Sequence, residues 1–225
     1  MRSHPDDSRP VRCALRPAGI ETRSFAIIAG LLSSFDQSRP EWPLIRRIAH
    51  STGDPAIADH VRVHAQAGAA GIQALRAGRP ILTDVKMVAA GINLRLTATL
   101  GCEVVCAIDD PAVAELARRH GTPRSAASIN HLAYRLPAAI VAIGNAPTAL
   151  FALLDYLDAG NAPPALVVGT PVGFVGAAEA KAALVGKAYA QVPYITVEGT
   201  RGGSAIAAAA VNALLRLAVA RQDET

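Results

Sequence analysis

AAIVAIGNAPTALFALLDYLDAG, residues 138–160, is the stretch on which the fold turns. Its first part, AAIVAIG, is apolar without alternation, the pattern of a strand covered on both faces. Gly144, Asn145 and Pro147 interrupt it, and PTALFALLDYLDAG then keeps helical spacing until Gly160. The uncharged run 136–154 reaches membrane-spanning length, as does 159–178. A membrane helix needs ~20 mostly apolar residues without repeated Gly and Pro breaks. A buried strand, a turn and a helix start account for each run better.

The same unit recurs on both sides. PILTDV, EVVCAI, ALVVGTP and YITVEGT are further strand-like runs. The helical segments that follow the five runs in turn are DVKMVAAG, PAVAELARRHG with TPRSAASINHLAYRL, PTALFALLDYLDAG, GAAEAKAALVGKAYA and SAIAAAAVNALLRLAVARQ. Strand–helix alternation with right-handed crossovers predicts an α/β fold, a mostly parallel, doubly wound (Rossmann-like) sheet with helices on both faces. Ahead of it, Ile20–Leu32 fits a helix. Pro40–Ser51 fits another, with Ser38 as its N-cap and Pro40 or Pro43 in its first turn. HVRVH at 60–64 reads as a short extended piece before an Ala/Leu helix ending near Gly78. These pieces make a helical N-terminal extension. Residues 1–17, polar and with three prolines, are expected to form a flexible tail, leaving 18–221 as a single α/β domain.

Composition narrows the function classes. A chain of 225 residues with 51% hydrophobic and 18% charged residues is not a disordered one. Alanine accounts for 47 positions, so helices can pack close to a sheet. Aromatics at 4% disfavour a base-stacking platform. The net charge of +4 comes from scattered basic residues, which suits an anionic small ligand and neither nucleic acid nor a membrane. Cys13, Cys102 and Cys106 make neither a disulfide framework nor a zinc pattern. MRSHPDDSRPVR has no signal-peptide core, so a cytoplasmic location is expected.

In open α/β sheets, ligands bind beyond the carboxyl ends of the strands. Three loops there are rich in glycine and polar residues: GNAPTALF at 144–151, GTPVGFVGAAEAK at 169–181 and EGTRGGSAIAAAA at 198–210. Free amides at such helix starts attract carboxylates or phosphates. Standard signatures are missing. Gly169, Gly173 and Gly176 do not make the dinucleotide fingerprint, Gly186-Lys187 is not a P-loop, and no G-x-S-x-G elbow occurs. His60 and His64 lack the glutamate of a zinc-protease helix. His50 ends the segment WPLIRRIAHSTGD with Arg47 three residues before it, on the same helix face. Such a pair can hold a carboxylate while the imidazole moves a proton, although a helix-terminal histidine also serves as a C-terminal cap. Asp84, at a strand end, is open between a ligand contact and a cap of the helix that follows it.

The chain resembles the precorrin-8X methylmutase family. The resemblance rests on RSFAII at 23–28, RRIAHSTGD at 46–54, ILTDVKMVAAGIN at 81–93 and RSAA at 124–127. It continues in VAIGNAPTALF at 141–151, PVGFVGAAEAK at 171–181 and RGGSAIAAAAVNALL at 201–215. It implies an isomerase of cobalamin biosynthesis that moves a methyl group from C-11 to C-12 of an anionic corrinoid, precorrin-8X or cobalt-precorrin-8. The reaction needs no cofactor and no catalytic metal, and the resemblance implies a homodimer with its site near the subunit interface. His50 matches the family's proton-transferring histidine. Ser24, Arg47, Arg124, Ser125, Asn145, Thr148, Gly173, Phe174, Gly176, Gly202, Gly203 and Ser204 match substrate-contact positions, with Lys86 and Arg95 as weaker candidates. The chain departs from the family pattern at Pro123, where threonine is expected, and at Ala180, where serine is expected. A corrinoid carrier and a nucleotide-dependent oxidoreductase are the competing readings. A carrier has no use for His50 beside Arg47, and an oxidoreductase lacks its glycine fingerprint.

Overall fold

The computed structural model describes residues 17–220. Among them the parallel strands are β2 (Ile81–Thr83), β3 (Val104–Val105), β4 (Ile140–Ile143), β5 (Leu166–Gly169) and β6 (Tyr194–Val197). The HVRVH segment supplies β1 (Val61–Val63), which adds antiparallel to β6 at one edge. The sheet order is β1-β6-β5-β4-β2-β3. Every residue of β4 is fully buried, which explains why its sequence does not alternate. Ile140 and Ala142 face one core, shared with Leu166, Val168, Ile195 and Val197. Val141 and Ile143 face the other, with Val167. Burying each of these valine, leucine and isoleucine side chains stabilises the fold by about 1.5–3 kcal/mol.

The first core is covered by α1 (Pro17–Leu31), α2 (Trp42–Thr52), α3 (Ala67–Arg76), α4 (Lys86–Gly91) and α10 (Ser204–Ala220). The second lies under α7 (Arg124–His131), α8 (Pro147–Asp158) and α9 (Ala177–Val185). Small residues set how close these layers come. A Cβ on Gly91 would lie 2.7 Å from the Ala208 Cβ, so α4 rests directly on the alanine face of α10.

Local chemistry moves several boundaries. Ser38 does not cap α2, because its hydroxyl and amide both engage the Asp36 carboxylate, at 2.6 and 3.0 Å. Glu41 takes the N-cap position, with Pro43 in the first turn. The helix stops at Gly53, whose left-handed backbone (φ +66°) lets its N–H bond to the Ala49 carbonyl. Beyond α4 a second short helix, α5 (Leu94–Thr99), starts separately because the Asn93 side chain accepts from the amides of Arg95 and Leu96. The long stretch between β3 and β4 forms α6 (Pro111–His120) and then α7. Pro17 already belongs to α1, and the rest of the expected tail, with Cys13, lies outside the described residues.

Candidate active site

The chain leaves β2 toward β3 and returns to β4 on the opposite side, so the crevice of this sheet opens between the carboxyl ends of β2 and β4. Asp84 sits there, fully buried. Its carboxylate does not cap α4, whose N-cap residue is Val85 without a side-chain bond. It reaches sideways instead, accepting from the N–H groups of Gly144 (3.0 Å), Asn145 (2.8 Å) and Ala146 (2.8 Å). Adjacency of β2 and β4 makes that reach possible. Burial pushes the Asp84 carboxyl up, and the three amide hydrogen bonds oppose the rise. The amides of Gly144, Asn145 and Ala146 are therefore taken by an internal carboxylate, and the Thr148 amide is not among them.

What the first loop offers is side chains. Asn145 is exposed, and the Thr148 hydroxyl lies 2.8 Å from that of Ser125 at the start of α7. The second and third loops are stitched together by backbone. Gly173 donates to the Thr200 carbonyl at 3.1 Å, and Gly203 to the Thr170 carbonyl at 2.8 Å. Gly202 packs so closely that a Cβ would lie 2.5 Å from the Pro171 carbonyl oxygen. Gly203 holds φ +128°, which other residues rarely adopt. At the tip of the second loop Phe174 is 93% exposed. All three loops adjoin: Gly176 approaches Phe151 and Pro147 of the first, and Gly144 has no room for a Cβ against the Ser204 backbone.

At the end of this rim, α10 turns toward α2. A cavity of about 320 Å³ is lined by Arg47, His50 and Ser51 of α2, by Gly91 and Asn93, and by Ala205, Ala208, Asn212 and Arg216 of α10. Phe25 of α1 lies outside the lining and braces the α2 side chains. The His50 ring meets Phe25 edge-on, with centroids 5.3 Å apart at 74°. The guanidinium groups of Arg46 and Arg47 stand 4.3 and 4.7 Å from the centre of the same ring. Arg47 pairs with Glu21 at 2.5 Å, and Arg216 approaches the same carboxylate at 3.5 Å. Burial alone would raise the Glu21 carboxyl. The hydrogen bond from Arg47 and the charges of Arg47, Arg216 and His50 instead hold it below the usual glutamate range. Asn212 closes the cavity floor by donating to the Gly91 carbonyl and accepting from the Asn93 amide, both at 2.8 Å.

The family model for precorrin-8X methylmutase matches residues 19–217. The chain belongs to the precorrin-8X methylmutase family. A precorrin-8X methylmutase of Pseudomonas aeruginosa is 45% identical over 85% of this chain and 88% of its own length. A cobalt-precorrin-8 methylmutase of Leptospira interrogans is 39% identical over 91% and 95%. The crystal structure of a precorrin-8X methyl mutase from Thermus thermophilus superposes with a TM-score of 0.81 at 40% identity, covering 90% of this chain and 98% of that one. A methylmutase is an isomerase: the methyl group moves within one molecule.

Within this methylmutase fold, His50 and Arg47 share one cavity. Gly202, Gly203 and Ser204 run directly into Ala205 of its lining, and Ser125, Asn145, Thr148, Gly173, Phe174 and Gly176 continue the same edge. Two expected contacts stand apart. Ser24 is half-buried on α1 beside Phe25 and does not line the cavity. Arg124 is exposed and lines a separate, shallow depression with Glu115 and Arg118. Lys86 is exposed and paired with Asp109, and Arg95 is exposed. Pro123 occupies the N-cap position of α7, and Ala180 points into the second core, away from the rim. Among the described residues, no group of three His, Cys, Asp or Glu side chains could hold a metal ion, and no helix is long and apolar enough to cross a membrane.

Sequence reading missed Phe25, Glu21, Asn212 and Lys181. Phe25 and Glu21 act through contacts between helices, which spacing along the chain does not reveal. Asn212 did leave a signal, a lone polar residue in the apolar helical run AAAAVNALL, whereas Lys181 shares AAEAKAALV with Glu179 and does not stand out.

Proposed function

We propose that this chain catalyses the 1,5-sigmatropic shift of a methyl group from C-11 to C-12 of precorrin-8X or cobalt-precorrin-8, giving hydrogenobyrinic acid or cobyrinic acid. His50 is the proton donor and acceptor. The observation that carries this reading is the cavity in which the His50 imidazole, braced on Phe25, stands beside Arg47 at the end of the glycine-loop rim. The C-11–methyl bond breaks as the C-12–methyl bond forms, and the conjugated system shifts with it. A proton lent by His50 to the macrocycle polarises the receiving carbon and returns once the methyl has moved. Atoms and electrons balance within the substrate, so the step calls for no hydride donor, nucleophile or cofactor.

The carboxylate arms are held by charge-assisted contacts along the rim. Arg47, Ser125, Asn145 and Thr148 supply side chains. The backbone at 174–176, Gly202 and Ser204 supplies amides, those of Gly173 and Gly203 being taken by the Thr200 and Thr170 carbonyls, and Phe174 supplies an apolar face. Ser24 and Arg124 serve the outermost arms. The enzyme acts in the cytoplasm as a homodimer with its site near the subunit interface. The dimer reading is supported by Ile20, Ile27 and Leu31, which lie on one side of α1 and are 43%, 55% and 64% exposed.

Purified protein is mixed separately with the metal-free and the cobalt-containing precursor while the absorption spectrum is followed. Conversion of either one supports the reading and identifies the natural substrate. A His50→Ala enzyme of near-normal rate would overturn the role given to His50. Sedimentation of the same sample checks the dimer.

A further inference from the structure

We infer that Lys181 is a positioning residue for the substrate, holding the Arg201–Gly202 peptide so that the Gly202 amide points at a carboxylate arm. This rests on the reading of residues 202–204 as substrate contacts. Lys181 lies on α9 and is only 1% exposed, the bulkiest of the fully buried side chains. Its ammonium group donates to the Arg201 carbonyl oxygen, in the loop between β6 and α10. Among the described residues it forms no ion pair. Burial alone pushes its pKa down to about 8.

In a trans peptide the carbonyl and the following N–H point in opposite directions. A carbonyl drawn toward Lys181 therefore turns the Gly202 N–H away from the lysine. That N–H donates to no other group among the described residues. A charge-assisted bond to the carbonyl also polarises the peptide and strengthens its N–H as a donor. Beyond Gly203, whose N–H is held by the Thr170 carbonyl, Ser204 and Ala205 open a helix of 17 residues, and their amides have no acceptor within it. Ala205 also lines the His50 cavity, so an arm held here brings the macrocycle to the imidazole.

Energetics favour a ligand role over a structural one. A buried charge without a counter-ion destabilises a fold, and an apolar chain of the same size is commonly neutral or stabilising in its place. A carboxylate arm on the adjacent amides supplies the missing negative charge when substrate binds.

Binding of hydrogenobyrinic acid and of its fully methyl-esterified form is measured by absorption titration on the wild type, Lys181→Met and Lys181→Arg, together with the melting temperature of each. The wild type should prefer the acid. Lys181→Met should bind the acid about tenfold more weakly, which is ~1.4 kcal/mol. It should leave ester affinity unchanged and melt at or above the wild-type temperature. Lys181→Arg should restore preference for the acid. If the Met variant does not fold, Lys181→Leu, which likewise has no donor, is read in the same way. A wild type that binds acid and ester equally overturns the reading of the rim, and this inference with it. A wild type that discriminates, with a neutral variant that discriminates as well or loses both ligands equally, overturns the inference alone.

Discussion

The His50 corner and the glycine-loop rim meet at the first turns of α10, yet they are built from different materials. The corner is made of side chains. Three cationic or ionisable groups, Arg46, Arg47 and His50, gather on the one ring of Phe25, and Glu21 ties Arg47 and Arg216 together. The rim is made of backbone, and its shape is set by two buried charges beneath it, Asp84 under the first loop and Lys181 under the third. The division matches the two tasks. A proton must move to and from one group, which asks for a side chain. A polyanion must be held in one orientation, which asks for fixed donors.

The largest expected effect isolates the first task. His50→Ala should lower turnover by about 10²–10⁴-fold, the usual range for a positioned acid–base group. Product affinity, measured by absorption titration, should stay within about threefold, because the rim is untouched. Loss of binding in parallel with turnover would erase the division between corner and rim. Asp84→Asn tests the rim from below. An amide in place of the carboxylate presents a donor to at least one of three N–H donors, leaving a buried amide unpaired. Unfolding by denaturant should show a loss of about 2–3 kcal/mol, with weaker product binding. Unchanged stability would mean that the first loop holds its shape without Asp84. Phe25→Leu keeps an apolar side chain and removes the ring face. It should reduce kcat/KM by about tenfold through loosened Arg47 and His50, with stability changing by only about 1 kcal/mol. A wild-type kcat/KM would show that the ring is packing alone.

The same division explains what could be read in the sequence. The unalternating run at 140–143 and the break at Gly144 revealed a strand covered on both faces and the loop above it, because burial and turn chemistry act on neighbouring residues. His50 and Arg47 were legible as a pair, since residues three apart on a helix share a face. The role of Asp84 was not legible: its partners at 144–146 lie in the loop after a strand distant in the chain, and only the order β4-β2 brings them together. Lys181 was invisible as a functional residue for the same reason, its acceptor being 20 positions away across two loops. Phe25 stands inside RSFAII at 23–28, but its service to three side chains of α2 depends on how α1 lies across that helix.

The smallest effect separates the two buried charges by sign. Burial holds the Lys181 ammonium at about 8, below the 10.5 of an ordinary lysine. Between those values the folded protein has lost this proton while the unfolded chain keeps it. The unfolded state then binds more protons, and stability rises with pH across that window. Lys181→Met has no such group. Its stability advantage over the wild type should therefore be full below about pH 8 and shrink steadily toward pH 10.5, as the wild-type lysine becomes neutral in place. Thermal melts of both proteins from pH 7 to 10, compared as differences, cancel the titration of every other group. A difference that stays constant with pH would mean that Lys181 already has a counter-charge in the folded protein. The rim would then have no need of a ligand carboxylate to neutralise it.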